Sequence, residues 1–218
     1  MSSVTIESVE TTPPEITETA TRMRSEDRRE LILDAATAVF GERGYFGATT
    51  DVVAKAAGVS QPYVVRMFGT KEALFLEVLH RALDKLMATF AWAIADTSPL
   101  PDGLVDTRAL RIGRAYADLL IDRGLLLSLM HAFVLGADPV IGPVARDGFI
   151  RVYTFLREEA EMSAQEADIF LAHGMMMNTM VGLRMADLYA DGDPCAIDLL
   201  ETALPGKLDV LLDTSKPA

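Results

Sequence analysis

The sequence predicts an all-α protein built from a small N-terminal helical domain and a longer C-terminal helical domain. Two observations carry this prediction. Apolar residues recur at spacings of three and four residues along most of the chain, which is the spacing of one helix face. Short clusters of Gly, Pro and Asp interrupt these stretches, and we find neither an alternating strand pattern nor a fixed-period repeat.

The composition is typical of a soluble globular protein. The chain has 218 residues, of which 50% are hydrophobic, so a large core can be buried. A single cysteine, Cys195, without a CxxC motif or a Cys/His cluster indicates a reducing compartment. The N-terminus lacks the pattern of a secretory signal, and the longest apolar stretch, 124–136, is too short to span a bilayer. We therefore expect a cytoplasmic protein that is neither secreted nor anchored to a membrane.

The charge is distributed unevenly along the chain. The formal net charge is −12, but residues 22–71 contain eight basic and six acidic residues. Surface charges more than about 10 Å apart are largely screened at physiological salt, so this local excess is modest. The charge pattern permits nucleic-acid binding near the N-terminus without requiring it.

Three regions are expected in chain order. Residues 1–21 are rich in Thr, Ser, Glu and Pro and hold few large apolar residues, which is typical of a disordered tail. Residues 22–70 form the small domain, and residues 71–218 form the longer one.

The first helix has a continuous apolar face and is expected to end at Gly44, which suits a left-handed C-terminal residue. Its face is made of Leu31, Ile32, Ala35, Ala36, Val39 and Phe40. The second helix is short, begins at a threonine cap in Thr49 or Thr50, and ends at Gly58.

The third helix is expected to be capped by Ser60, and it tolerates Pro62 because the first turn has no internal partners for its N–H groups. Thr70 caps a long fourth helix that runs to about Asp96. Later apolar stretches predict helices at about 105–122, 124–136, 139–160, 163–190 and 194–204.

Residues 49–74, TTDVVAKAAGVSQPYVVRMFGTKEAL, hold the most specific pattern in the chain. The two short helices are separated by so few residues that they must cross at a steep angle. Ala54 permits close approach at the crossing, and Gly58 supplies the positive φ of the turn. The apolar residues that fix the pair are Val53, Ala57, Val59, Val64 and Met67. This is the pattern of a DNA-binding helix-turn-helix.

The third helix then directs Gln61, Tyr63 and Arg66 outward. Amide and guanidinium groups read base edges, and a phenol can donate to a phosphate. Free N–H groups attract phosphates at Thr49 and Thr50 and at the start of the fourth helix. The candidate DNA-binding residues are Thr49, Thr50, Ser60, Gln61, Pro62, Tyr63, Arg66 and Lys71. A basic arm of Arg22, Arg24, Arg28 and Arg29 would add contacts, although these arginines alone also fit solvated surface charges.

The run from Leu31 to Leu79 resembles the N-terminal domain of the TetR family of transcriptional repressors. Its landmarks are AATAVFGERGY in the first helix, TTDVVAKAAGVS at the turn, and FGTKEALF at the start of the fourth helix. The resemblance implies a ligand-responsive repressor whose homodimer binds a palindromic DNA operator and whose C-terminal domain encloses an effector. One position departs from the family pattern. The family often has an aromatic residue where this chain has Val65, and Tyr63 would take part of its backbone contact.

The C-terminal domain offers candidates for dimerisation and for binding a small, mainly apolar effector. Stretches 139–160 and 163–190 would form a four-helix interface, with Arg184 and Asp187 at its rim. Methionine adapts to irregular apolar ligands, and a few polar groups would orient them. The candidate ligand residues are Trp92, Tyr116, Met130, His131, Phe133, Met175, Met176 and Asn178. The alternative is that such residues at helical spacing belong to an ordinary core.

We identify no catalytic, metal-binding or cofactor-binding pattern. Glu77 and His80 have the Glu-x-x-His spacing of di-iron bundles, but the second such pair that these bundles require is missing. No metalloprotease, hydrolase or phosphate-loop motif is found. We therefore expect a DNA-binding regulator and not an enzyme. The alternative is a helical dimer that sequesters a ligand and no longer reads DNA.

Overall fold

The computed structural model describes residues 25–100, 104–204 and 208–213; the predicted tail at 1–21, and Arg22 and Arg24, lie outside these ranges. All regular structure in these ranges is helical, as the sequence predicts. The helices are α1 (Ser25–Gly47), α2 (Thr50–Ala56), α3 (Gln61–Phe68), α4 (Lys71–Ala95), α5 (Arg108–Leu119), α6 (Arg123–Val134), α7 (Ile141–Glu158), α8 (Ala164–Gly182), α9 (Met185–Ala190), α10 (Pro194–Ala203) and α11 (Leu208–Asp213). Within these ranges, no helix is both long enough and apolar enough to cross a membrane.

A compact aromatic and aliphatic core joins α1, α2, α3 and the first turns of α4. The rings of Phe40 and Phe75 lie 4.8 Å apart between centroids, and both side chains are fully buried. Ala54 is completely buried where α2 crosses α3, and Gly58 has a φ of 65° in the turn. The predicted helix-turn-helix geometry is therefore present, for the residues and reasons that the sequence indicated.

The predicted caps are confirmed for α2 and α4 but not for α3. Thr49 accepts a hydrogen bond at 3.2 Å from the backbone N–H of Val52, and Thr70 caps α4 in the same way. Ser60 precedes α3, but its side chain makes no capping hydrogen bond. A capping side chain accepts from the N–H of the second or third helical residue. Here the second residue, Pro62, has no N–H, and the third, Tyr63, donates to the backbone carbonyl of Ser60 instead of its hydroxyl.

One predicted helix end is confirmed and one predicted helix is corrected. Gly44 has the expected positive φ, 67°, and interrupts the helix, and a further short helical segment after this kink extends α1 to Gly47. The stretch 163–190 is not one helix, because Arg184 adopts a left-handed conformation between α8 and α9. Its guanidinium binds the carboxylate of Asp187 at 2.6 Å, and this local pair holds the turn. The apolar periodicity continues across this turn and gave no signal of the break.

The N-terminal domain is attached to the rest of the protein by α1, which packs against α6. Gly41 of α1 lies so close to α6 that a Cβ atom there would stand 2.6 Å from the Cα of Gly124. Beside this contact, the fully buried Ser128 donates its hydroxyl hydrogen to the carbonyl of Gly124 at 2.7 Å. The two helix backbones therefore meet directly, with no side chains between the two glycines.

Helix α4 is shared by both domains. Its first half buries Leu74 and Phe75 in the N-terminal core, and its second half buries Leu83 and Phe90 among α5, α7 and α8. Gly148 of α7 lies against Leu83, because a Cβ at this glycine would be 2.4 Å from the leucine Cδ1. A displacement of α4 in the C-terminal domain must therefore move the N-terminal core as well.

Gly41→Ala tests the contact between α1 and α6. The added methyl group would collide with the backbone of Gly124, so the free energy of unfolding should fall by about 1–3 kcal/mol in chemical denaturation. Gly182→Ala is the matched control, because its Cβ would meet only Leu127, at an ordinary 3.5 Å. This control should be as stable as the wild type or slightly more stable. Equal stabilities of both variants and the wild type would contradict the close contact.

Candidate DNA-binding surface and ligand cavities

The outward face of α3 consists of three residues. Pro62, Val65 and Arg66 are exposed, and Gln61 and Tyr63 flank them as half-buried side chains. Val65, where the sequence departs from the family pattern, is 38% exposed and belongs to this face. Sequence reasoning did not include Val65 in the candidate site. Its position on the helix, one residue from Arg66 and three from Pro62, was the signal that would have found it.

Two candidate residues on different helices contact each other. The side-chain amide nitrogen of Gln61 donates to the hydroxyl oxygen of Thr50 at 3.2 Å. This bond connects the start of α3 to the first residue of α2, where Thr49 is the cap. The side chain of Gln61 is thereby held at the junction of the two helices, with its carbonyl oxygen free to accept a second hydrogen bond.

Tyr63 is stacked with two arginines. The guanidinium carbon of Arg66 lies 4.9 Å from the ring centroid of Tyr63, and that of Arg28 on α1 lies 5.8 Å from it. Cation–π contacts of this kind restrict where the guanidinium groups point. Of the two arginines of the predicted arm that the structure describes, Arg28 contacts the candidate residue Tyr63 of α3, and Arg29 lies over the ring of Phe68.

Lys71 is half-buried. Its ammonium donates to the backbone carbonyl of Tyr45 at 2.9 Å and lies 4.3 Å from the centre of that tyrosine ring. Lys71 therefore holds the end of α1 against the start of α4. An ammonium has three donors, so a phosphate contact by Lys71 would use those that Tyr45 leaves free.

A small inner cavity of about 60 Å³ lies among α4, α5, α6, α7 and α8. It brings together four of the eight predicted ligand residues, namely Tyr116, Phe133, Met175 and Asn178. The hydroxyl of Tyr116 donates to the side-chain oxygen of Asn178 at 2.7 Å, and both residues are buried. Burial raises the pKa of Tyr116 well above its ordinary value, so the phenol remains a neutral donor.

A larger outer cavity of about 460 Å³ lies between α5 and α8. Its volume is within the range of pockets that bind small molecules. Its walls are mainly apolar, with Arg114, Glu166 and His173 as the charged or titratable side chains. Tyr116, Phe170 and Gly174 line both cavities, so these residues form the partition between them.

The other four predicted ligand residues line neither cavity. Trp92 is 65% exposed and Met176 is 37% exposed, both on the protein surface. The ring of His131 faces Gly44 of α1, with its Cε1 atom 3.1 Å from the position that a Cβ of the glycine would take. Met130 is half-buried on α6, away from both cavities. Their placement gives no support to a ligand contact.

The sequence analysis did not include two residues that line the cavities, Phe170 and Arg114. Phe170 lies four and eight residues before Gly174 and Asn178, so helical spacing alone places the three on one face of α8. Arg114 could be recognised only from the tertiary structure, because an isolated arginine on a helix usually belongs to the solvated surface. Among the described residues, no group of three or more His, Cys, Asp or Glu side chains could hold a metal ion.

Comparison with known proteins finds similarity in the N-terminal domain. The family profile described as "Bacterial regulatory proteins, tetR family" matches residues 32–78. The HTH-type transcriptional activator FasR of Mycolicibacterium smegmatis is 39% identical over 77 residues, which are 35% of each protein. The HTH-type transcriptional regulator RutR of Escherichia coli K12 is 34% identical over 73 residues, which are 34% of each. The chain thus matches about a third of the length of these relatives.

Solved structures are similar over both domains. A TetR-like transcriptional regulator from Rhodococcus sp. RHA1 aligns with a TM-score of 0.56 at 22% identity, covering 84% of this chain and 96% of that chain. A transcriptional regulator structure from Pseudomonas aeruginosa PAO1 aligns with a TM-score of 0.55 at 20% identity, covering 86% and 93%. At this level of identity, the similarity shows that the chain shares their fold.

Proposed function

Because the chain belongs to the TetR family of bacterial regulatory proteins, we propose that it is a DNA-binding transcriptional regulator whose dimer responds to a small effector. The observation that carries this proposal is the outward face of α3. Arg66 and Val65 are exposed there, next to Gln61 and Tyr63, on a helix-turn-helix whose core is fully packed.

The side chains of this face have complementary roles in reading a major groove. Arg66 donates to guanine, and Val65 offers an apolar surface to the methyl group of thymine. Gln61, fixed by Thr50, presents its carbonyl oxygen to a base donor. Phosphates on either side of the groove are bound by the N-terminus of α2 and by the phenol of Tyr63.

An exposed apolar stripe on α8 supports dimerisation. Ile169, Met176 and Leu183 are spaced by seven residues and are 60%, 37% and 67% exposed. Ala172 and Thr179 lie between them and are also exposed. This is the heptad spacing with which one helix packs along another, so α8 pairs with α8 of a second copy. Two heads in such a dimer read successive major grooves about 34–36 Å apart, which requires a palindromic operator.

The effector acts through α4. Leu83, Leu86 and Phe90 of this helix line the inner cavity, whereas Leu74 and Phe75 belong to the N-terminal core. A ligand that alters the packing around Phe90 tilts α4 and changes the separation of the two heads. Both heads must dock at once, so a shift of a few ångströms prevents one from binding.

The direction of regulation has two candidates. Occupation of an operator that overlaps a promoter represses transcription, and this is the simplest outcome of the proposed mechanism. The matched relative FasR is by name a transcriptional activator, which favours activation as the second candidate. A transcription assay with purified polymerase and the operator, with and without the protein, distinguishes them by the sign of the change.

Arg66→Ala tests DNA reading by α3. In a mobility-shift assay with the DNA upstream of its own gene, specific affinity should fall by roughly 1–3 kcal/mol per head, because a base contact is lost. Arg157→Ala removes the same charge from an exposed position on α7 and should leave binding unchanged. The wild type should also lose affinity steeply with salt. Flat, weak binding that is unaffected by Arg66→Ala would instead support a ligand-sequestering protein.

Met176→Glu tests the dimer interface. A carboxylate in the middle of the apolar stripe would face its own copy in the partner, so light scattering should show a monomer. Ala88→Glu adds the same charge at an exposed position on α4 and should leave the dimer intact. A dimer that survives Met176→Glu at all concentrations would place the interface elsewhere.

A further inference from the structure

The outer cavity contains a cation that the described residues do not neutralise. Arg114 of α5 lines the cavity and makes neither a hydrogen bond nor an ion pair with the part of the chain that the structure describes. Two other arginines of α5 are engaged: Arg111 binds Asp106 at 2.7 Å, and Arg108 pairs with Glu161 at 2.7 Å. Arg114 therefore has its donors available for a bound molecule.

The surroundings of Arg114 favour an anion over water. Arg114 is half-buried, and the cavity walls include Leu110, Ile169 and Leu204. A charged group beside apolar walls is poorly hydrated, and a charge-assisted hydrogen bond to an anion compensates for this loss. An anionic group is thus the chemical complement of this site.

Glu166 and His173, which also line the cavity, already make hydrogen bonds within the protein. The carboxylate of Glu166 accepts a hydrogen bond at 2.7 Å from the backbone N–H of Ser163. Hydrogen bonds with the side chain and the backbone N–H of Ser163 lower the pKa of Glu166, so its carboxylate is ionised and disfavours an anion at that end of the cavity. His173 uses its Nε2 atom to contact the carbonyl of Ala203 at 3.1 Å. Among the described residues that line the cavity, Arg114 is the one that offers unused positive charge.

The partition between the cavities is thin and partly made of glycine. Gly113 of α5 and Gly174 of α8 both line the outer cavity from the interiors of their helices. Cβ atoms there would lie 3.8 Å from Phe170 and 3.5 Å from Tyr116, which are ordinary contact distances. Packing would therefore accept alanine, which helices prefer to glycine, and what the glycines preserve is open space.

From these features we propose that the effector is an elongated amphipathic anion, of which a straight-chain carboxylate is the simplest form. Its charged head binds Arg114 in the outer cavity. Its apolar tail passes over Gly174, between Tyr116 and Phe170, into the inner cavity. The tail there contacts Phe90 of α4, which connects it to the DNA-binding domain. This inference rests on the proposed ligand-responsive function and specifies its effector.

Calorimetric titration of the full chain tests the charged head with three probes of equal chain length: decanoate, decanol and decylammonium. Decanoate should bind at least about tenfold more tightly than either of the others, because only it forms a charge-assisted bond with Arg114. Arg114→Gln should reduce decanoate affinity to that of decanol and leave decanol unchanged. Arg157→Gln, with the same change at an exposed site on α7, should retain the preference. Equal affinities for the three probes, or a preference that persists in Arg114→Gln, overturns the proposal.

Gly174→Leu tests the route of the tail. The larger side chain should obstruct the partition and weaken decanoate roughly tenfold, while hexanoate, whose tail ends in the outer cavity, keeps its affinity. Gly174→Ala, a second variant that the packing accommodates, should melt at or above the wild-type temperature and weaken decanoate by less. Unchanged decanoate affinity in a folded Gly174→Leu protein overturns the tail route.

The two proposals fail in different experiments. Binding of the three probes is measured without DNA, whereas the regulator function is measured as DNA binding by the ligand-free protein. If operator DNA is bound but decanoate shows no preference, only the effector class is wrong. If decanoate binds as expected but no DNA is bound, the effector class stands and the regulator function is wrong.

Discussion

The structure depends on the direct contact between the backbones of α1 and α6 at Gly41 and Gly124. A Cβ atom on Gly124 would stand 2.9 Å from the carbonyl oxygen of Thr37 on α1, so the approach is close from both sides. Helices packed at this distance cannot slide or rotate independently, because protein interiors are close-packed and resist deformation. The position of the helices of the N-terminal domain is therefore set by packing against α6. Helix α6 in turn packs beside the helices around the cavities.

Helix α4 is the second connection between the two domains, and its two halves pack in different surroundings. Its first half is inseparable from the N-terminal core, and its second half borders the inner cavity. Ion pairs between Arg81 and Asp34 and between Lys85 and Asp122, at 2.6 and 2.7 Å, span the same junction. These pairs are largely exposed, so they add little stability compared with the buried contacts. Any change in the packing of α4 around the inner cavity therefore reaches the N-terminal core through the same helix.

The sequence predicted the N-terminal domain well and the ligand site only in part. The helix-turn-helix was predictable because Ala54, Gly58, Val53 and Val64 must satisfy a local geometry that allows few alternatives. Ser60 precedes α3 as predicted, but its side chain does not cap the helix, because the N–H of Tyr63 donates to the backbone carbonyl of Ser60. In the C-terminal domain, methionine and aromatic residues at helical spacing fit many packing arrangements. Tyr116 and Asn178 meet across 62 positions of sequence, and no local pattern indicates such a contact. Arg114 became a candidate only once the structure showed it without a partner among the described residues.

We infer that the N-terminal helix-turn-helix domain and the cavity domain are held in one fixed relation through α1, α4 and α6. A distance measured within one chain tests this claim most directly. The native Cys195 is exposed, and Ala56→Cys adds a second exposed position on α2. Labelled protein, diluted with unlabelled protein so that only distances within one chain are measured, gives the distribution between the two sites by single-molecule energy transfer. If the two domains are held in one fixed relation, the distance between the two labels should have one narrow distribution in the ligand-free protein. A broad or multiple distribution would show that the two domains move independently and would contradict it.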